Sequence, residues 1–241
     1  MFRHAKPVLG ATLAIAAVAL LGRQLPLPAM AETAAGALPA PETDVAPGPQ
    51  GLQTAVFAGG CFWGVQAVFQ HVEGVTQAVS GYAGGNGPNP SYEQVSSGST
   101  GHTEAVRVTF DPARVSYGKL LQIFFSVALD PTEVNRQGPD TGTQYRSDLF
   151  VDGPEQERVA RAYIAQLEIA HAFSRPIATR VDPAVPFYTA EGYHQDYLLL
   201  HPHSMYIVHN DMPKIEHLRA LFPVNWRDRP ATVGPLTSAR P

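Results

Sequence analysis

Between residues 54 and 72 the hydrophobic period changes once, and two glycines mark the place. Residues 54–58 form a short apolar run that ends at Gly59-Gly60; beyond it Phe62, Val65, Phe69 and Val72 recur at spacings of three and four. The first pattern suits a strand and the second a helix with one apolar face, so the sequence predicts strand, tight turn and helix in direct succession. The residue at the junction is Cys61, the one cysteine of the chain. A lone thiol forms no internal disulfide, so the fold has to rest on its apolar core.

The first residues carry the three parts of an export signal: basic Arg3 and Lys6, an apolar run over residues 8–21, and Ala29-Met30-Ala31 as a small-x-small cleavage site. That run is roughly 14 residues, short of the ~20 a spanning helix needs, so the expectation is a signal peptide over residues 1–31, with the mature chain starting at Glu32. A periplasmic or secreted location follows, with no membrane span in the mature chain. Residues 32–51 are rich in Pro and Ala without an apolar period and read as a linker. Residues 52–225 suit one domain, and residues 226–241 a flexible tail. The formal charge is −4, and without the basic residues of the signal it becomes −7, which argues against nucleic acid or an anionic membrane as partner.

Further along, residues 75–81 read as a second strand, and in residues 103–110 Val106, Val108 and Phe110 alternate on one face. Ser116 is placed to cap a helix whose stripe is Leu120, Leu121, Phe124, Phe125 and Ala128, stopped by Asp130-Pro131. Residues 145–151 are a strand candidate, residues 154–172 a helix opened by Pro154, and residues 176–181 another strand. Residues 190–200 and 213–221 are expected to be helical. The order βαββα followed by βαβ gives the α/β class as an α+β two-layer sandwich: a mixed, mainly antiparallel sheet with helices, built as a ferredoxin-like core plus a C-terminal extension.

A free thiol in an oxidising compartment serves chemistry more readily than packing. At the start of a helix, unpaired amides and the macrodipole favour an anion by about 0.3–1 kcal/mol, less than one pKa unit, so a nucleophilic Cys61 needs a second activating group. Gly59-Gly60 permit close approach of backbone and ligand, and Phe62-Trp63 can wall the thiol with apolar surface.

Gly60-Cys61-Phe62-Trp63-Gly64 resembles the signature of the peptide methionine sulfoxide reductase A family. Further blocks resemble that family in the same order: Gly81-Tyr82-Ala83-Gly84-Gly85, Pro88-Asn89-Pro90-Ser91-Tyr92, Gly98-Ser99-Thr100-Gly101-His102-Thr103-Glu104, Arg136-Gln137-Gly138-Pro139-Asp140, Gln144-Tyr145-Arg146-Ser147 and Tyr193-His194-Gln195-Asp196-Tyr197. They run across residues 56–223. The resemblance implies a two-layer α/β fold and reduction of methionine S-sulfoxide, free or in oxidised proteins, with no metal and no bound organic cofactor. By the same resemblance Cys61 attacks the sulfoxide sulfur and Glu104 protonates its oxygen, while Tyr92 and Tyr145 hydrogen-bond that oxygen. Asp140 joins a water and carboxylate network, Phe62 and Trp63 hold the S-methyl group, and Tyr197 and His194 support or line the site. An acid working near neutral pH must keep its proton, so Glu104 is expected to be buried with a raised pKa.

Many family members carry resolving cysteines near the C-terminus, and this chain has none. A sulfenic acid on Cys61 then has to meet an external thiol, either a thioredoxin-like protein or a small thiol. Leu129 stands where family members often have histidine, so no role transfers to it. Three other readings make separate demands. Acyl transfer needs His102 or His194 beside Cys61 as base, and a zinc site needs His194, His201, His203 and His209 to converge. A sulfoxide-binding module would keep the pocket without turnover.

Overall fold

The computed structural model describes Met1, residues 36–46 and residues 51–234, so the expected signal peptide lies outside the described residues apart from Met1. Four strands and two helices form the central motif. Strand β1 (Gln53–Gly59) leads through Gly60 and Cys61 into helix α1 (Phe62–Gln70), then strand β2 (Val75–Ala83), the short helix α2 (Tyr92–Ser96) and strand β3 (Thr103–Phe110). Helix α3 (Tyr117–Ile123), capped by Ser116 accepting from the Lys119 N–H at 3.2 Å, runs on through a wider turn at Phe124–Ala128. The small hairpin β4 (Arg136–Gln137) and β5 (Asp140–Thr141) follows, then strand β6 (Ser147–Val151), helix α4 (Gly153–Ile169) and strand β7 (Arg180–Pro183). Strand β8 (Tyr188–Thr189), helix α5 (Tyr197–Leu200) and helix α6 (Met212–Leu221) complete the chain.

The main sheet has the order β7-β6-β1-β3-β2-β8. Its centre, β6-β1-β3-β2, is antiparallel throughout, which is the ferredoxin-like arrangement expected from the element order; β7 adds parallel to β6 across α4. Alternation along the strands decides which side chains meet the helices. Ala55 and Phe57 of β1 and Val106, Val108 and Phe110 of β3 face a core completed by Val65, Phe69, Leu120, Leu121 and Phe124. Ala58, Ala83, Ala105 and Phe150 form a smaller cluster apart from it. The period of two that turns Val106 inward also turns Glu104 inward, which is why a carboxyl near the start of β3 ends up buried, at 3% exposure.

Several boundaries differ from the sequence expectation, each for a local reason. Tyr145 closes a single 3-10 turn, Thr143–Tyr145, and the strand begins only at Ser147. The strand expected at residues 176–181 is found at Arg180–Pro183, because the Ile177 N–H donates to Glu168 Oε1 at 2.6 Å and the Ala178 N–H to the Pro131 carbonyl at 2.7 Å, leaving neither for the sheet. Residues 190–200 are broken at Asp196, held at φ 56° while its carboxylate accepts from Gln70 Nε2 at 2.6 Å.

The expected linker and tail both need correction where they are described. Residues 36–46 pack against the domain: Leu38 is 6% exposed, its carbonyl accepts from Gln122 Nε2 at 2.6 Å, and the Pro39 carbonyl accepts from the Tyr163 hydroxyl at 2.8 Å. Two apolar side chains, Leu38 and Val45, with carbonyls pointing at α3 and α4, anchor a segment whose composition lacks any period. At the other end Trp226 stacks on His71 with ring centroids 4.5 Å apart, and the Ala231 N–H donates to the Gln70 carbonyl at 2.9 Å. Residues 235–241 lie outside the described residues. If residues 36–46 contribute to the folded core, Leu38→Ala should cost about 2–3 kcal/mol in chemical denaturation; a change within ~0.5 kcal/mol would show the contact to be superficial.

Candidate active site

Cys61 caps α1 with φ −54° and ψ 121°, and is 9% exposed. Gly60 before it has φ +86°, and a Cβ there would lie 2.4 Å from Cβ of Gln137, so backbone and space both demand glycine. Gln137 in turn accepts from the Asp130 N–H at 3.0 Å and donates to the Asp130 carbonyl at 2.5 Å, fixing the hairpin that carries Asp140. Gly64 admits another carboxylate: a Cβ there would sit 2.1 Å from Asp211 Oδ1. Asp211 is fully buried and is bonded by Lys214 Nζ at 3.1 Å.

Glu104, opposite Tyr82 in the β2–β3 register, reaches across to the start of α1, where its Oε2 accepts from the Phe62 N–H at 2.9 Å. Burial pushes its pKa up to about 8; the Phe62 N–H opposes the shift, while Asp140 and Asp211 add to it. Burial outweighs the amide, so at neutral pH the carboxyl keeps its proton, as the sequence expectation required. Cys61 is also pushed well above its ordinary value, first by burial and then by Glu104 and Asp211, against the Trp63 N–H and the Tyr206 hydroxyl. The resting side chain is therefore a thiol. The helix N-terminus does not win here: one of its amides is taken by Glu104, and an effect of about 0.3–1 kcal/mol is smaller than the desolvation of a buried anion.

A pocket of about 200 Å³ is lined by Cys61, Trp63, Tyr92, Glu104, Asp140, Tyr145 and Tyr206. That is less than the ~300–1,000 Å³ of pockets for drug-sized ligands and suits the end of one side chain. Six of the nine residues expected at the site line it. Burial above all, with Glu104 next, raises the pKa of both Tyr92 and Tyr145, so both phenols are hydrogen-bond donors at neutral pH.

The other three expected residues stand behind the wall. Tyr197 stacks on Trp63 at 3.7 Å between centroids and 8° between planes, while His194 Nδ1 accepts from Trp63 Nε1 at 3.1 Å. Phe62, 1% exposed, lends its N–H to Glu104 and packs its ring on Tyr82 and His194. Burial lowers the pKa of His194, so its ring is neutral at pH 7 and Nε2 bears the proton. These groups hold Trp63 and the start of α1; none of them lines the pocket.

Neither histidine serves as a base for Cys61. His102 Nδ1 accepts from the Gly85 N–H at 3.2 Å, its Nε2 bonds the Gly87 carbonyl at 3.1 Å, and His194 is occupied by Trp63. Among the described residues no three His, Cys, Asp or Glu side chains converge as metal ligands.

Three contributors went unread in the sequence: Tyr206, Asp211 and Glu191. Glu191 Oε1 accepts from the Tyr92 N–H at 2.9 Å and its Oε2 from the Tyr82 hydroxyl at 2.8 Å, which sets the start of α2 over the pocket. No local period signals any of the three, since each acts through a partner at least 60 residues away or through a gap left by glycine.

A raised carboxyl pKa is also a stability statement. The folded chain holds the Glu104 proton more tightly than the unfolded one, so this contribution is full below pH 4.5 and is lost as pH rises through about 8. Glu104→Gln should therefore gain stability relative to the parent chain between pH 5 and 8, by about 2–5 kcal/mol in chemical denaturation across that range. A difference that stays constant with pH would show Glu104 to be ionised in the folded state.

The sequence model of the peptide methionine sulfoxide reductase family matches residues 53–224. A peptide methionine sulfoxide reductase MsrA 2 of Mesorhizobium japonicum is 53% identical over 183 residues, covering 76% of this chain and 94% of the relative. Another, from Synechocystis sp., is 49% identical over 185 residues, covering 76% and 86%. Among solved structures, reduced Mxr1 from Saccharomyces cerevisiae superposes with a TM-score of 0.57 at 32% identity, covering 64% of this chain and 87% of that one. Methionine sulfoxide reductase A of Corynebacterium diphtheriae gives 0.53 at 34% identity, covering 70% and 89%. A family-model match over residues 53–224 and a relative 53% identical over 183 residues, with the thiol and the protonated carboxyl in one pocket, place this chain in the peptide methionine sulfoxide reductase family.

Proposed function

We propose that the chain reduces methionine S-sulfoxide, free or within oxidised proteins, by direct attack of Cys61 on the sulfoxide sulfur. The observation that carries this reading is a thiol and a proton-bearing carboxyl sharing one side-chain-sized pocket, tied together by the Phe62 N–H to Glu104 bond of 2.9 Å. A sulfoxide sulfur becomes a good electrophile as its oxygen gains a proton. Glu104 supplies that proton, Tyr92 and Tyr145 donate hydrogen bonds to the same oxygen, and Trp63 offers its face to the S-methyl group. Attack forms a bond between the Cys61 sulfur and the sulfoxide sulfur as the oxygen is protonated; that oxygen then passes to the Cys61 sulfur as the S–S and S–O bonds to methionine break, so methionine leaves as the thioether with Cys61 oxidised to a sulfenic acid.

General-acid help of this kind contributes about 10²–10⁴-fold. It also sets the pH dependence: the rate is sustained while Glu104 holds its proton and declines above about pH 8. With one cysteine in the chain, the sulfenic acid is returned to thiol by an external reductant, a thioredoxin-like protein or a small thiol. Two reductant thiols are consumed, one disulfide is formed, and the oxygen departs as water. The basic, apolar and small-residue stretches of residues 1–31 support export and work in an oxidising compartment.

The reading is tested with separated sulfoxide epimers and no reductant. One methionine per Cys61 is expected from the S epimer, with Cys61 trapped by a sulfenic-acid probe, and none from Cys61→Ser. Equal turnover of the R epimer, or methionine release without modification of Cys61, would overturn it.

A further inference from the structure

Tyr206 lines the pocket beside Cys61, packs edge-on to Trp63 with centroids 5.7 Å apart, and donates its hydroxyl hydrogen to Asp140 Oδ2. It reaches the site from outside the sheet, from the helical residue that leads into the Ile207–Asp211 segment, and its ring is half-buried.

The forward step needs two protons to move, one onto the sulfoxide oxygen and one away from the Cys61 thiol. Glu104 holds its own proton at neutral pH, so it is the donor and not the acceptor. The titratable groups lining the pocket with the sulfur are Glu104 from β3, Tyr92 from α2, Tyr145, Tyr206 and Asp140 from β5, and Asp211 with Lys214 at the start of α6 acts on it from behind the wall. Asp211 does not line the pocket; it is fully buried and bonded to Lys214. Both histidines are engaged elsewhere. Tyr206, which lines the same pocket as the sulfur and whose hydroxyl hydrogen already points at half-buried Asp140, is the remaining path to water.

We infer that Tyr206 and Asp140 form the relay that takes the thiol proton from Cys61: the S–H proton passes to the Tyr206 oxygen as the Tyr206 hydrogen passes to Asp140. The inference rests on the reductase reading above and adds a catalytic residue to it. The proton count closes. Glu104 loses one proton to the sulfoxide oxygen, Asp140 gains the one from sulfur, and Asp140 returns it to solvent while Glu104 is reloaded. No oxidant or reductant beyond the sulfoxide is involved in this step.

The relay is tested by single-turnover formation of methionine from methionine S-sulfoxide, followed by rapid quench over pH 6–8 in the full chain, Tyr206→Phe, Asp140→Asn and the double variant. The parent chain should give a nearly flat rate over this range. Tyr206→Phe should be slower by about 100-fold at pH 7, and its rate should climb about tenfold per pH unit, because the thiol then has to ionise to hydroxide. Asp140→Asn keeps an acceptor for the phenol but no base, so it should show the same climb, and the double variant should be no slower than Tyr206→Phe alone. A Tyr206→Phe rate that follows the parent pH profile, or a double variant slower by the product of the two single losses, would overturn the relay. A parent chain that forms no methionine would overturn the reductase reading itself.

Discussion

The hydrogen bond from the Phe62 N–H to Glu104 Oε2 is the contact on which the remainder of the molecule turns. It joins the first amide of α1 to the first turn inward of β3, and so fixes Cys61, one residue earlier, against the carboxyl. It also pulls in the wrong direction for catalysis, since an N–H donor at a helix start favours the ionised carboxylate. What reverses the balance is dryness: at 3% exposure, with Asp140 and Asp211 nearby, the carboxyl sits near 8. The fold thus sets a stabilising hydrogen bond against a destabilising burial and lets burial prevail.

The same opposition explains the thiol. A cysteine at a helix N-terminus is commonly read as an activated thiolate, yet the surroundings that protonate Glu104 protonate Cys61 as well. A pocket that stores a thiol and an acid side by side is unreactive until a ligand arrives whose oxygen can take one proton while its sulfur takes the sulfur lone pair. Selectivity for an oxidised thioether then follows from proton chemistry together with the aromatic wall, in which Trp63 is held from behind by Tyr197 and His194.

How much of this was legible in the sequence depends on the range of the interaction. The β1–Gly59-Gly60–α1 junction and the inward alternation of β3 are local patterns, and they carry Cys61 and Glu104 into place without further help. The motif blocks brought out Tyr92, Tyr145 and Asp140, whose loops and turns have no period of their own. Tyr206 was silent, because it lies in a stretch without periodicity and earns its position from a carboxylate 66 residues away. Asp211 was silent because its burial depends on the missing side chain of Gly64. Residues 36–46 and 226–234 looked unstructured by composition, yet they are held by backbone carbonyls and amides, which composition does not display.

The central claim is that the Glu104 carboxyl is protonated at neutral pH in the resting enzyme. Isotope-edited infrared difference spectroscopy of the parent chain against Glu104→Gln, from pH 4 to pH 9, observes that proton directly. The carbonyl stretch of a protonated carboxyl should persist at pH 7 and vanish with a midpoint near 8; a carboxylate band already complete by pH 5 would contradict it.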